Sequence, residues 1–193
     1  IQRTRRKYYM IWHDHWELRG KHAFLSGSNY HWLNYDVEKL EQVYINLKKK
    51  EEGTRLHDFA SRAIKDKIKL APMKKALHLF VTDAIGFGME SEMELKFSDN
   101  CFGTADAISF KDGVLRIHDL KTGMSKASFR QLDVYTAMFC LEYRHTPHSI
   151  DIVHRIYQGR DFMETSPNPD DILEIMELMI EFDPVIERMK SVV

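Results

Sequence analysis

Residues 102–120 decide the fold that the sequence predicts: FGTADAISF (102–110), KDG (111–113) and VLRIHDL (114–120). The two outer stretches have the residue types and spacing of strands, and the middle stretch is typical of a tight turn. Together they predict a β-hairpin. Because side chains alternate along a strand, we expect Asp119 and Lys121 on one face. His118 and Leu120 should then lie on the other face, in packing positions.

The stretches on either side of this hairpin predict a mixed α/β fold. Apolar residues at three- and four-residue spacing predict one helix that begins at Asp36, its N-cap, and a second helix after Gly53. A third helix is expected to open at Pro72, and the alternation of residues 89–97 predicts a strand. Downstream, the pattern predicts a helix at 125–142, a strand at 150–157 and a helix at 170–189.

Length and composition fit one globular domain. The chain has 193 residues, of which 44% are hydrophobic and 30% are charged. That balance supports a sizeable core and excludes collagen-like and low-complexity chains. No run of about 18 apolar residues occurs, so we expect no transmembrane helix and no membrane partner.

The number of cysteines limits which cofactors and which cellular compartment we expect. The sequence has two cysteines, Cys101 and Cys140. Two thiols are too few for a four-thiolate iron–sulfur cluster or for a disulfide framework. We therefore expect no iron–sulfur cluster and a reducing, cytoplasmic setting.

Charge is distributed unevenly along the chain. The formal net charge is −1, yet residues 1–75 carry 17 Lys and Arg against 9 Asp and Glu. Residues 160–193 carry 3 Lys and Arg against 9 Asp and Glu. This distribution favours a basic surface for a polyanion in the first half of the chain. The alternative is that each helix simply has a solvated charged face.

Two carboxylates and one ammonium group are expected to meet at the surface of the predicted hairpin. Asp106 lies on its first strand, and Asp119 and Lys121 lie on its second. Crowded carboxylates are costly unless a cation joins them, and oxygen ligands favour a divalent ion such as Mg²⁺ or Mn²⁺. Such an ion activates water against a phosphodiester, and Lys121 would orient or deprotonate that water or neutralise phosphate charge. Taken alone, this pattern has an exposed cross-strand ion pair as its alternative.

Three further features accompany this pattern. The segment 53–57 places a histidine on a helix, where a satisfied surface or core histidine is the alternative. Gln131 and Tyr135 are four residues apart and therefore share one helical face. Gly103 and Gly123 flank the acidic strands, where a bulge or a close approach of a substrate backbone would require glycine.

Four motifs follow one another along the chain: Gly-Thr-x-Leu-His (53–57), Gly-Thr-x-Asp (103–106), Asp-x-Lys-Thr-Gly (119–123) and Gln-x-x-x-Tyr (131–135). As an ordered set they resemble the RecB-like branch of the PD-(D/E)xK nuclease superfamily, over roughly residues 50–160. The resemblance implies a restriction-endonuclease-like αβββαβ core, with a central mixed sheet flanked by helices. The segments 22–26 and 32–36 look like those of short phage-encoded members.

The resemblance also implies roles for individual residues. It implies that Asp106, Asp119 and Lys121 are catalytic, and that His57, Asp106, Asp119 and the backbone carbonyl of Leu120 are metal ligands. An imidazole ligand makes Mn²⁺ a rival to Mg²⁺. Glu92 and Glu94 are further carboxylates on the first strand, for which a solvated strand face is the favoured role. The residues that would support the site or contact DNA are Gln131, Tyr135, Thr122, Gly123, Gly103, Thr104 and Arg55.

The function that the resemblance implies is a metal-dependent DNA nuclease that hydrolyses phosphodiester bonds. It would be a cluster-free exonuclease of DNA replication, recombination or repair, of phage origin and active in the host cytoplasm. In that interpretation residues 1–193 form a single nuclease domain, made of an N-terminal aromatic extension (1–35), a catalytic core (36–160) and an acidic C-terminal helix (161–193).

The implied partners and the competing class of function follow from the same motifs. DNA is the implied partner. A helicase or recombination protein would be a separate chain, since the sequence has no Gly-x-x-x-x-Gly-Lys-Ser/Thr phosphate loop. A homo-oligomer stays open. The alternative class is a non-catalytic DNA-binding or assembly protein that retains the nuclease fold, and the presence of every expected catalytic residue counts against it.

Overall fold

The computed structural model describes residues 23–25, 30–72, 75–123 and 126–190. The chain divides between Lys48 and Lys49 into two compact units. Most of the predicted aromatic extension, including segment 22–26 in part, lies outside the described residues. The predicted single domain with an N-terminal extension therefore stays a prediction.

The described residues form four α-helices and five strands. In chain order these are α1 (Val37–Lys65), α2 (Ala76–Gly86), β1 (Glu90–Ser98), β2 (Cys101–Lys111), β3 (Val114–Lys121), α3 (Arg130–Tyr143), β4 (Asp151–Gln158), β5 (Asp161–Thr165) and α4 (Pro169–Lys190). Short 3₁₀ turns lie at Tyr30–Asn34 and Pro147–Ser149. Among the described helices, none combines the length and the apolar character needed to cross a membrane.

The strands form one mixed sheet with the order β1-β2-β3-β4-β5. Only β3 and β4 run parallel, and α3 provides the crossover that a parallel pair requires. The predicted hairpin is confirmed: Lys111 pairs with Val114, and the turn residues Asp112 and Gly113 have φ angles of 53° and 78°. Two successive positive φ angles match the twist of the flanking strands, which is why an Asp-Gly turn suits this position.

Helices cover both faces of the sheet, as expected for the α/β class. On one face α1 and α2 pack against the sheet through a cluster that includes Ala60, Phe80 and Leu120. On the other face α3 packs through a cluster that includes Leu132 and Ile117. α4 then packs on α3. Successive residues of β3 therefore contribute to opposite layers, which places Asp119 and Lys121 on the side of α3.

Gly53 does not end a helix, contrary to the prediction from sequence. The two predicted helices are one continuous helix, α1, and Gly53 is buried within it. A Cβ atom at this position would lie 2.7 Å from Oγ1 of Thr122. Glycine is retained because the chain around Thr122 packs closely here, and this contact outweighs the low helix propensity of glycine. The predicted N-cap is confirmed, since Oδ1 of Asp36 accepts a hydrogen bond from the Lys39 N–H at 2.7 Å.

Two other predicted boundaries were wrong, and one strand was not predicted. Pro72 does not open α2, which begins at Ala76, where the Ala76 N–H donates to the carbonyl of Gly159 at 3.0 Å. α3 begins at Arg130 rather than at residue 125, and Oγ of Ser128 accepts the Arg130 N–H at 3.3 Å. Strand β5 was not predicted because most of its residues are exposed and it has no apolar alternation. The contact at the start of α2 is tertiary, whereas the contact at the start of α3 is local.

Candidate active site

A polar cleft of about 400 Å³ lies between α1 and the strands β1 and β2. The α1 residues that line it share one face, because they recur at three- and four-residue spacing. The lining residues are Lys50, Gly53, Thr54, His57, Asp58, Glu92, Asp106 and Thr122. The cleft thus has a lysine near one end and carboxylates at the other.

His57, Glu92 and Asp106 form the most compact group of possible metal ligands among the described residues. One ligand atom from each lies within 4.8 Å of the other two. The Nδ1 atom of His57 is 3.4 Å from Oδ2 of Asp106. This contact with Asp106 raises the pKa of His57 above its ordinary value, burial opposes the rise, and the charges of Asp119 and Glu92 add to it. The histidine is therefore held in a strongly anionic environment.

Asp106 is fixed in place by the backbone of the neighbouring strand. Its Oδ2 atom accepts a hydrogen bond from the Leu120 N–H at 2.8 Å. The regular pairing of β2 with β3 runs only as far as Ala107 and His118. The Asp106 carboxylate thus takes the place of a ladder carbonyl just beyond that point. Leu120 reaches the site through its N–H, and the ligand role of its carbonyl stays a prediction.

A chain of hydrogen bonds connects β3 to α3. Nζ of Lys121 donates to Oδ1 of Asp119 at 2.9 Å and to Oε1 of Gln131 at 2.8 Å. Nε2 of Gln131 then donates to the hydroxyl of Tyr135 at 3.0 Å. The expected shared face of Asp119 and Lys121 is confirmed, and the Gln131–Tyr135 pair lies beside it.

Asp119 is buried with one oxygen unpaired. Its exposed fraction is 4%, and Oδ2 has no hydrogen-bond partner among the described residues. Burial raises the pKa of Asp119, the charge of Asp106 raises it further, and Lys121 opposes both effects. A buried carboxylate oxygen without a partner is costly, so this position suits a cation.

Gly103 lies against the ring of Tyr135, and its expected role near a substrate stays a prediction. A Cβ atom on Gly103 would lie 2.9 Å from Cε1 of Tyr135. The close approach that requires glycine is thus made by a side chain of this protein. The other expected glycine, Gly123, offers its carbonyl to Nε2 of Gln158 at 2.7 Å.

The remaining predicted residues are divided between the cleft and the surface. Thr122 lines the cleft, whereas Arg55 and Thr104 are exposed and do not line it. His118 is fully buried on the opposite face of β3, with Nδ1 3.2 Å from the hydroxyl of Tyr157. Its predicted packing role is confirmed.

Glu92 is the site residue that the sequence argument undervalued. A solvated strand face was the favoured role, and the side chain is indeed exposed, but it faces His57 and Asp106. Its pKa is raised, chiefly by partial burial and then by the charge of Asp106. The signal that would have found it is register: Ser91 pairs with Ala107 and Met93 with Ala105, so Glu92 stands opposite Asp106.

A scan against protein-family models, a search of curated proteins and a search of solved structures each found no match to this chain. We therefore infer what the cleft binds from the chemistry of its possible ligand atoms. One imidazole nitrogen and several carboxylate oxygens form a set that Mn²⁺ and Mg²⁺ accept. Asp119 does not line the cleft, but its charge acts on His57, and its buried Oδ2 has no hydrogen-bond partner among the described residues.

Proposed function

We propose that this protein is a divalent-metal-dependent DNA nuclease of the RecB-like branch of the PD-(D/E)xK superfamily, which hydrolyses phosphodiester bonds as an exonuclease. The observation that carries the proposal is the position of Lys121. Its ammonium group lies 2.9 Å from Asp119 and 2.8 Å from Gln131, on the strand whose Leu120 N–H binds Asp106. A fixed ammonium beside clustered carboxylates is the arrangement that phosphodiester hydrolysis needs.

In this proposal His57, Asp106 and Asp119 hold Mg²⁺ or Mn²⁺, with the Leu120 carbonyl as a further ligand. When bound, the ion supplies Lewis-acid polarisation of the phosphodiester and lowers the pKa of the attacking water. Asp106 is suited to binding because the Leu120 N–H orients its carboxylate. Asp119 is suited because its buried Oδ2 has no other partner among the described residues.

The ammonium group of Lys121 has one N–H bond available to the substrate. An ammonium group has three N–H bonds, and Asp119 and Gln131 accept two of them. The side chain is 32% exposed, so the third N–H is accessible to a phosphate oxygen or to the attacking water. Tyr135 keeps Gln131 in place through the hydroxyl contact at 3.0 Å. Gln131 and Tyr135 therefore act as positioning residues for Lys121.

The wall that α1 provides is suited to the nucleic-acid backbone. Lys50 lines the cleft on the same helical face as His57, two turns away. A lysine at that distance would bind a phosphate that flanks the scissile one, and such contacts dominate affinity for DNA. This interpretation places Lys50, one of the basic residues of the first half of the chain, next to the substrate.

The test is cleavage of linear and circular duplex DNA by the purified protein with Mg²⁺ or Mn²⁺. We expect wild type to degrade DNA, and Asp119→Asn and Lys121→Met to lose roughly 100-fold or more of that activity. Lys111→Met, a matched change at an exposed lysine on β2, should cut like wild type. Cleavage of linear DNA alone selects the exonuclease, and nicking of circles selects an endonuclease.

Two results would show the proposal to be wrong. One is no cleavage by wild type, in which case retained DNA binding would select the non-catalytic DNA-binding class. The other is undiminished cleavage by Asp119→Asn and Lys121→Met, which would place the chemistry elsewhere or in a contaminant.

A further inference from the structure

The strand β1 breaks its alternation at Glu92. Ser91 is buried, and its hydroxyl lies 3.1 Å from the hydroxyl of Ser61 on α1. In a regular strand the next side chain points to the opposite face. Glu92 instead has a ligand atom within 4.8 Å of those of His57, which also lies on α1, and of Asp106. Two successive residues of β1 thus turn toward the same helix.

The backbone of Glu92 accounts for this break. Its φ angle is 51°, in the left-handed region that residues other than glycine seldom adopt. The neighbouring pairs Ser91–Ala107 and Met93–Ala105 keep their register on both sides, so the distortion is confined to a single residue. Conformations of this kind persist where the surrounding structure enforces them, often at functional sites. Here the effect is to bring one more carboxylate to the cleft.

A second feature, the buried carboxylate of Asp119, adds negative charge close to this position. Asp119 is 95% buried as a side chain, and its Oδ2 has no hydrogen-bond partner among the described residues. Its charge acts on His57, and the charge of Asp106 raises the pKa of Asp119. Three carboxylates, those of Asp106, Asp119 and Glu92, act on His57, and Lys121 pairs with the one of Asp119. An additional carboxylate would only increase the repulsion if no cation entered the cleft.

We propose that Glu92 is a further ligand of the divalent cation in this cleft, together with His57 and Asp106. The inference rests on the proposed function, and it adds a residue that lies outside the four sequence motifs. Glu94, two residues along the same strand, provides the matched control: it is exposed, pairs with Thr104 and does not belong to the group around His57.

The experiment measures Mn²⁺ binding to the full chain by isothermal titration calorimetry, with electron paramagnetic resonance of free Mn²⁺ as a second readout. Wild type and Glu94→Gln should bind with the same dissociation constant within about twofold. Asp106→Asn should abolish binding, and Glu92→Gln should weaken it by roughly 10-fold or more. Thermal melting without metal checks that each variant is folded.

The outcomes separate this inference from the proposed function. If wild type binds Mn²⁺ and Asp106→Asn does not, while Glu92→Gln binds like wild type, Glu92 is no ligand and the nuclease proposal stands. If Glu92→Gln and Glu94→Gln weaken Mn²⁺ binding equally, the effect comes from overall charge alone, and the inference is wrong. If wild type binds no Mn²⁺, both proposals fail.

Discussion

The Asp106 carboxylate and the Leu120 N–H are joined by a 2.8 Å hydrogen bond. Asp106 lies one position and Leu120 two positions beyond the last regular pair of β2 and β3. A side chain here replaces the backbone acceptor that a ladder would supply. The bond fixes the carboxylate and satisfies a strand N–H at the same time. Because Leu120 lies between Asp119 and Lys121, the same contact sets the position of Asp106 relative to both.

Replacement of Asp106 should separate its two roles. Asp106→Asn removes the charge but keeps an oxygen that accepts the Leu120 N–H, whereas Asp106→Ala removes both. We expect both variants to lack nuclease activity and Asp106→Ala to be less stable than Asp106→Asn by about 1 kcal/mol. Urea unfolding measures the difference. Equal stabilities would show that the Leu120 contact contributes nothing net.

Gly103→Ala should disturb the site through Tyr135. The new Cβ atom would lie 2.9 Å from the Tyr135 ring, so the ring must shift. We expect this shift to weaken the contact of the Tyr135 hydroxyl with Gln131, and with it the positioning of Lys121. We expect a loss of about 1–3 kcal/mol in unfolding free energy and a lower kcat with little change in KM. Gly86→Ala is the control, because its Cβ would meet no atom within 4 Å. A Gly103→Ala protein with wild-type kcat would contradict this positioning role.

Gly53→Ala and Thr122→Ala should be coupled. Alanine at Gly53 gains helix propensity but places Cβ 2.7 Å from Oγ1 of Thr122. Removal of that oxygen should let the helix benefit appear, so Gly53→Ala should be more favourable in the Thr122→Ala background by about 1 kcal/mol. A double-mutant cycle of unfolding free energies measures this coupling. Additive effects would mean that Thr122 simply rotates away.

Glycine at position 92 should reveal backbone strain. Glu92→Gly and Glu92→Ala remove the same carboxylate, but alanine retains the cost of the left-handed φ of 51°. We expect Glu92→Gly to be more stable than Glu92→Ala by about 1 kcal/mol. At Glu94, which is outside the positive-φ residues, the order should reverse because glycine is unfavourable within a strand. Thermal melting of the four variants measures the stability of glycine relative to alanine at each position. If glycine and alanine rank in the same order at both positions, Glu92 carries no backbone strain.

Stability below neutral pH should depend on His154. Its side chain is fully buried, Nε2 lies 2.7 Å from Oγ1 of Thr136, and burial lowers the pKa of His154 to about 4 from the ordinary 6.5. Between these two values the unfolded state binds more protons than the folded state. The contribution of neutral His154 is therefore complete above pH 6.5 and is lost as the pH falls toward 4, by about 3 kcal/mol in total.

His154→Gln should reduce the slope of unfolding free energy against pH in this window. Other titrating groups, including Asp133 with Oδ1 at 3.5 Å from Nδ1 of His154, are present in both proteins. The difference between the two slopes therefore isolates the histidine. Urea unfolding at several pH values between 4.5 and 7 measures this difference. Identical slopes would mean that His154 has the same pKa in the folded and unfolded states.

The hairpin and the face of Asp119 and Lys121 could be predicted because they depend on local rules. Strand alternation and the Asp112–Gly113 turn involve neighbours in sequence, and they hold wherever the hairpin packs. The same locality explains the confirmed N-cap at Asp36 and the packing role of His118. Glycine and proline were less informative about helix boundaries, since Gly53 lies within α1 and Pro72 lies before α2.

By itself, the sequence determined the α/β class, the hairpin and the shared face of Asp119 and Lys121. Only the tertiary structure decided which groups meet across elements: Glu92 with His57, Asp106 with Leu120, and Gly103 with Tyr135. The physical reason is that alternation and helical periodicity describe regular backbone. The site lies where that regularity fails, at a left-handed residue in β1 and beyond the last pair of β2 and β3.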